Sequence, residues 1–314
     1  TATYEARALG VHSGMGLMKA AALAPEAILL PADFEAYTRA SRAFKTAVAA
    51  IAPVWEDRGI DEIYLDLTEV PGETRALAQR LKDAVRQATG LSCSIGVTPN
   101  KLLSKLASDL EKPDGLTVLA LEDLPTRVWP LSAGKLNGIG PKASARLEAL
   151  GIRTLGDLAA ADPAWLVAHF GRSYGAWLAE AARGQDDSPV VTHRECKSVS
   201  TETTFERDLH PSTDRAALSR ILQGLCERVG KDLARKARKG RTVGVKLKFD
   251  DFTTITRDVT LAEAVDDPET ILRAVRSCLR RVSFDRKLRL LGVRVGSLEV
   301  PGEEPPRSLF DGID

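Results

Sequence analysis

Hydrophobic and polar positions alternate along the chain with two distinct periods. From Asp33 the apolar residues Phe34, Tyr37, Phe44, Val48 and Ile51 recur at helical spacing behind an Asp N-cap and stop at Pro53, which predicts a helix. The run 59–67 changes to a period of two and predicts a strand. Leu77, Leu81 and Val85 then return to the helical period and stop at Gly90, a residue suited to the left-handed helix end. A second alternating run, 91–97, leads through a polar turn into a helix from about Pro99 to Leu110. Strand, helix, strand, helix predicts an α+β layer with helices packed on one sheet.

Residues 119–183 carry short Ala- and Leu-rich helical stretches broken by Gly and Pro, which predicts a small all-helical domain. The polar, turn-rich run 184–189 introduces an extended segment ending near Cys196 that reads as a linker. Beyond it the pattern predicts strand 198–205, helix 213–238, strands 242–250 and 253–260, helix 268–281 and strand 287–299. This is a βαββαβ order with Asp250 and Asp251 in the hairpin turn. The tail after Pro301, rich in Pro with Glu303 and Glu304, is expected to be disordered.

Composition adds limits. At 314 residues and 44% hydrophobic content the chain has material for several globular domains. No apolar run is long enough for a membrane span, and the first residues lack a signal-peptide pattern, so a cytoplasmic protein without membrane partners is expected. Cys93, Cys196, Cys226 and Cys278 lie far apart with no CxxC, which predicts reduced thiols and no zinc site. The net charge of +1 conceals an uneven distribution, because residues 197–300 hold 22 Lys and Arg against 15 Asp and Glu. A basic module attached to a slightly acidic one suggests a polyanionic partner.

Three constellations carry candidate chemistry. In the strand around Asp61, parity places this carboxylate with Ile63, Leu65 and Leu67, and Glu62 with Tyr64 and Asp66. A carboxylate on an apolar face needs a cation, a hydrogen-bond network or an exposed strand end, and Mg²⁺ would meet that need. A turn at the start of the strand is the plainer alternative, and adjacent carboxylates reach one ion only across a turn or bulge. The second is Leu136-Asn137-Gly138-Ile139-Gly140-Pro141-Lys142, a helix-hairpin-helix pattern whose backbone amides can hold a phosphate, the alternative being an ordinary helix connection. The third, residues 228–241, holds seven basic residues, Arg228, Lys231, Arg235, Lys236, Arg238, Lys239 and Arg241, against Asp232 alone. Beside the apolar stripe Leu225, Val229 and Leu233 it reads as an amphipathic helix with a cationic face, suited to phosphates or simply solvated. The four histidines are scattered, and no GxGxxG, Walker A or GxSxG motif occurs.

The chain resembles the Y-family translesion DNA polymerases over nearly its whole length. The resemblance rests on Tyr4-Glu5-Ala6-Arg7 with Gly10-Val11-His12-Ser13, on Ile60-Asp61-Glu62-Ile63-Tyr64-Leu65-Asp66, and on Ser94-Ile95-Gly96-Val97 leading to Pro99-Asn100-Lys101. It continues with Lys105-Leu106-Ala107-Ser108-Asp109, Lys112-Pro113-Asp114-Gly115, Gly138-Ile139-Gly140, Lys197-Ser198-Val199 and Lys246-Leu247-Lys248-Phe249-Asp250-Asp251-Phe252. The fold it implies is a multidomain α+β right-hand polymerase, with fingers (1–32), palm (33–122), helical thumb (123–185), linker (186–196), a βαββαβ little finger (197–300) and a disordered tail (301–314).

The resemblance also implies roles. Asp61 and Glu62 would be catalytic metal ligands for two Mg²⁺ ions at the tip of a palm hairpin, with Asp66 supporting that hairpin. Thr1, Tyr4, Arg7 and Lys112 match the ligands of the incoming deoxynucleoside triphosphate. Gly138, Gly140, Lys142, Arg235, Lys236, Arg238, Lys239 and Arg241 would contact primer-template DNA. The implied enzyme is a monomeric, error-prone, DNA-directed DNA polymerase.

The opening strand that carries the family's first catalytic Asp has no counterpart, so the chain as given is expected to be a truncated, nearly inactive form. Arg307-Ser308-Leu309-Phe310 resembles the end of a sliding-clamp-binding peptide, with Leu309 and Phe310 as the anchors. A non-catalytic DNA-binding scaffold in DNA repair is the competing reading. Retention of Asp61, Glu62, Tyr4, Arg7 and Lys112 counts against it.

Overall fold

Short polar side chains start the first long helices. After two brief helices, α1 (Tyr4–Ala8) and α2 (Leu17–Leu23), the Asp33 carboxylate accepts the Ala36 amide and opens α3 (Phe34–Ala49). A first hairpin follows, β1 (Trp55–Asp57) antiparallel to β2 (Ile63–Leu65). Glu73 accepts the Arg75 and Ala76 amides ahead of α4 (Thr74–Thr89), which ends on Gly90 at φ 73°. Asn100 plays the same capping part between β3 (Ile95–Val97) and α5 (Lys101–Leu110), and β4 (Leu116–Val118) then pairs parallel to β3. The computed structural model describes residues 2–302 and divides into two units, Thr1–His193 and Arg194–Asp314.

In the first unit the alternating run 59–67 is a strand only over Ile63–Leu65. The Arg58 amide donates to the Glu62 carbonyl and the Asp57 carboxylate accepts the Gly59 amide, so residues 58–62 form the turn of the hairpin. The parity argument for Asp61 therefore fails, because the residue precedes the strand and is exposed. β1 and β4 carry no alternation that could be read, since three residues are too few to establish a period. Helix α5 lies so close to β3 that a Cβ on Gly96 would stand 2.4 Å from the Ser104 carbonyl oxygen.

Residues 119–183 are free of named strands. They hold α6 (Pro141–Ala149), α7 (Leu155–Ala160), α8 (Pro163–Phe170) and α9 (Arg172–Ala182), with an isolated bridge between Ser132 and Thr154. Their core is continuous with Leu103, Leu106 and Ala107 of α5. The stretch after α9 is fixed to α5 and β1 instead of running free. Asn100 donates to the Gly184 carbonyl (2.7 Å), the Leu102 amide to Asp186 (3.0 Å), Lys101 to the Pro189 carbonyl (2.7 Å) and the Val191 amide to Glu56 (3.0 Å).

The second unit contains β5 (Ser198–Leu209), α10 (Arg215–Arg235), β6 (Lys239–Phe249), β7 (Thr254–Val265), α11 (Pro268–Leu279) and β8 (Leu288–Glu299). The sheet order is β5-β8-β6-β7, antiparallel at each paired edge. Val243, Val245, Leu247 and Phe249 of β6 join one core with Leu225, Val229 and Leu233 of α10 and Ile271, Val275 and Cys278 of α11. Both helices therefore cover the same face, and the other face of the sheet carries none. Among the described residues no helix is long and apolar enough to cross a membrane.

Candidate active site and nucleic-acid interface

The hairpin places Asp61 and Glu62 side by side at its exposed end. Lys105, one helical face of α5, forms a close ion pair with Glu62. Burial of Lys105 pulls its pKa down, but the bond and charge of Glu62, with Asp109 and Tyr64, carry it above the usual lysine value. Two neighbouring hard oxygen donors in an open loop suit a divalent cation that keeps waters and phosphate oxygens as its other ligands. No cluster of three metal-capable side chains forms among the described residues. Asp66 faces away from this chemistry. The Thr68 hydroxyl and then the Thr68 amide, both bonding its carboxylate, hold its pKa low, and its own amide donates to Val54, so it closes the base of the hairpin.

A buried carboxylate does exist here, and it is Glu56. It has no exposed surface and is held by Arg58 (3.2 Å), Lys101 (2.8 Å) and the Val191 amide (3.0 Å). Across the strand pair lies Tyr64, with the Arg58 and Lys101 cations 5.9 and 5.5 Å from its ring centre. Burial raises the Tyr64 pKa. This clasp fixes the hairpin that carries Asp61 and Glu62 against the start of α5. Nothing in the sequence marks it, because beyond Arg58 the partners Lys101 and Val191 lie 45 and 135 positions away.

Among the described residues, Tyr4, Arg7 and Lys112 are not drawn together by direct contacts. Thr1 lies outside the described residues. Tyr4 and Arg7 share a face of α1, where Arg7 donates to the Ala2 carbonyl (3.0 Å) and to Ser13 (3.3 Å). Lys112, just past α5, pairs with Asp109 at 2.5 Å. Among the described residues, no hydrogen bond or ion pair of Tyr4 or Arg7 reaches α5 or the β1–β2 hairpin.

The glycine hairpin before α6 is built around two buried side chains, Leu136 and Ile139. Gly138 sits at φ 104°, and a Cβ there would meet the Trp177 ring at 2.5 Å. Tyr174, stacked on Trp177 with ring centres 5.4 Å apart, donates to the Gly138 carbonyl. Gly140 caps α6 without a side chain, open space lies where its Cβ would be, and Pro141 and Lys142 follow. A cleft of about 410 Å³ opens between residues 134–140 and Lys105, Leu106 and Asp109 of α5. Free helix-start amides at such a cleft are suited to a phosphate.

The basic run divides between two elements. Helix α10 ends at Arg235, whose cation pairs with Asp232 (2.8 Å), so Lys239 and Arg241 lie on β6, paired with Asp266 (3.5 Å) and Glu299 (2.5 Å). Lys236 and Arg238 have no ion pair among the described residues. The helix-free face of the sheet, which the charge count alone does not single out, is a second candidate interface. Its rows are Ser200, Arg294, Gly244 and Asp258, then Glu202, Gly292, Lys246 and Thr256. The rows also hold two carboxylates, Asp258 and Glu202, the latter paired with Lys246 at 2.9 Å. The hydroxyls and cations beside them can donate to a nucleic-acid backbone, and the glycines let it approach closely. The alternation of β6 held this information, since Thr242, Lys246 and Lys248 share one parity and the core valines and leucines the other. Leu309 and Phe310, the candidate clamp anchors, lie outside the described residues.

Comparison with known proteins bears on the same features. Residues 1–109 match the profile of the impB/mucB/samB family, residues 196–309 its C-terminal domain, and residues 134–186 the DNA polymerase-iota thumb domain. The chain is 40% identical over 301 residues to DNA polymerase IV of Methanoculleus marisnigri, covering 95% of this chain and 82% of that protein. It is 38% identical over 306 residues to DNA polymerase IV of Lactococcus lactis subsp. cremoris, covering 96% and 83%. A solved Y-family DNA polymerase chimera superposes with a TM-score of 0.81 at 25% identity, over 96% of this chain and 87% of that one. The carboxylate hairpin, the glycine hairpin and the basic sheet unit thus sit in a chain that belongs to the Y-family DNA polymerases, alongside the DNA polymerase IV proteins.

Proposed function

We infer that this chain is a template-directed DNA polymerase of the error-prone translesion type, adding deoxynucleotides to a primer 3′-hydroxyl. The observation that carries the reading is the pair Asp61 and Glu62, adjacent and exposed at the end of a hairpin that Glu56 and Lys101 lock to α5. Asp61 and Glu62 would hold Mg²⁺, which supplies activation of the hydroxyl and charge neutralisation at the triphosphate. Lys105 pairs with Glu62 and balances its charge. Arg7 and Lys112 bind and orient triphosphate oxygens through charge-assisted hydrogen bonds, with Tyr4 and Thr1 as hydroxyl donors.

The division into fingers (1–32), palm (33–122), thumb (123–185), linker (186–196) and little finger (197–300) is supported by the element content of each span. The Gly138–Gly140 hairpin with Lys142 holds a backbone phosphate, and Arg235, Lys236, Arg238, Lys239 and Arg241, with the helix-free sheet face, bind duplex DNA without reading its sequence. The reading includes a monomer in the cytoplasm and a sliding-clamp contact through Leu309 and Phe310.

Primer extension with Mg²⁺ and all four deoxynucleotides tests this. The assay compares the chain as given with a form that carries the family's opening strand ahead of it, and extension by either that disappears in Asp61→Ala and in Glu62→Ala is the expected result. Tight binding of primer-template DNA with no extension by either form would overturn it in favour of the scaffold reading.

A further inference from the structure

The turn between β6 and β7 contains an anomaly. Phe252 is 60% exposed and sits at φ 65°. A bulky side chain in the left-handed region is strained, and burial does not compensate for it here. Nor does the turn need the ring. The Asp251 carboxylate accepts the Thr253 amide (2.9 Å) and pairs with Arg286 (2.6 Å), and the Phe249 amide donates to the Thr253 carbonyl (2.9 Å). Glycine or asparagine would satisfy this backbone better.

What the ring does touch is charge. The Lys248 ammonium lies 4.8 Å from its centre and the Arg289 guanidinium 4.9 Å. Lys248 has no ion pair among the described residues, and Arg289 has only Asp208 at 3.5 Å. The nearby Asp251 is occupied by Arg286, which also covers the Phe249 ring at 4.1 Å. Long cationic side chains lose considerable rotamer freedom when they bind, and a ring that already orders two of them removes part of that loss.

We propose that Phe252 is a positioning residue which holds Lys248 and Arg289 together as a phosphate clamp for the DNA backbone at this end of the sheet. The proposal rests on the DNA-binding reading above. The strained, exposed ring is retained because it orders the two cations before the polyanion arrives.

The test is fluorescence anisotropy of a labelled primer-template duplex with the full chain across a salt series, together with thermal unfolding. Lys248→Ala and Arg289→Ala each remove a phosphate contact, so each should flatten the slope of log affinity against log salt by about 1. Phe252→Ala keeps both charges and should weaken binding about three- to tenfold with the slope intact. Phe252→Tyr should restore affinity. Phe252→Gly should lose affinity like alanine while the unfolding temperature holds or rises.

Wild-type affinity in Phe252→Ala, or no rescue by tyrosine, would overturn the clamp while leaving the DNA reading in place. An affinity loss that tracks a fall in unfolding temperature would make Phe252 merely structural. Failure of the unsubstituted chain to bind duplex would sink the DNA reading and the clamp with it.

Discussion

The hairpin region of the first unit and the sheet of the second are held by different physics. Twenty buried residues from three strands and two helices form a single core in the second unit, with partly buried residues of β7 packed against it. The cluster beneath the first hairpin has three, Val48, Leu81 and Val85, with partly buried neighbours around them. Polar clasps supply what that small core lacks. Glu56 ties β1 to α5 and to the stretch ending at Val191, while Lys82 ties α4 to Asp114 (2.6 Å) and to the Cys93 carbonyl (2.8 Å). A loop that must present carboxylates to a cation cannot be buried in hydrocarbon, so charged anchors fix it from behind.

Substitutions can separate the two modes. Phe249→Ala, which opens the second core at a fully buried ring, should cost about 3–5 kcal/mol, read by calorimetry as a downward shift of one unfolding transition. Glu56→Ala removes the centre of the first clasp and strands Lys101. Breaking a buried pair in this way costs about 3–5 kcal/mol, and it should lower the transition of the first unit and leave the second in place. If both transitions move together in either variant, the contrast drawn between the two regions is wrong.

Smaller effects sharpen it. Gly138→Ala forces a side chain into the left-handed region and against Trp177, a strain of about 1–3 kcal/mol that calorimetry should register in the first unit alone. In the second unit the bond from Arg207, with the His210 amide, lowers the Asp214 carboxyl to about 2 from an ordinary value of 3.8. A depressed carboxyl stabilises the fold above its unfolded value, so this contribution is complete above about pH 4 and lost as pH falls through about 2. The unfolding temperatures of the unsubstituted protein and Asp214→Asn should therefore converge over that interval. Least in effect, an alkylating reagent should label exposed Cys196 in the native protein and spare Cys226, whose thiol burial pushes up to about 12.

Much of the second unit was legible, because its elements are long enough to show their periods. The apolar stripe Leu225, Val229 and Leu233 is buried, and the βαββαβ order appears with its ends displaced by a few residues. The helix from Asp33 was legible too, although Phe34 and Tyr37 at its start remain exposed. The first hairpin was less so. Alternation across 59–67 continued through a turn that is not a strand, and parity set Asp61 on a face it does not occupy. Both carboxylates sit in a turn at the start of the strand, the geometry that lets adjacent carboxylates reach one ion.

The sequence by itself determined the kinds and order of the longer elements, the glycine stop at Gly90 and the chemistry available at Asp61, Glu62 and the basic run. These depend on neighbours within a turn or two of helix or a few residues of strand, where spacing decides which face meets the core. Only the tertiary structure decided that Glu56 is the buried carboxylate, that Lys105 balances Glu62, that Lys239 and Arg241 are already paired, and that Phe252 gathers Lys248 and Arg289. Apart from Arg58 near Glu56 and Lys248 near Phe252, their partners lie tens of residues away in the chain. Periodicity records that a side chain is turned inward, but only chain packing determines which charge it meets there.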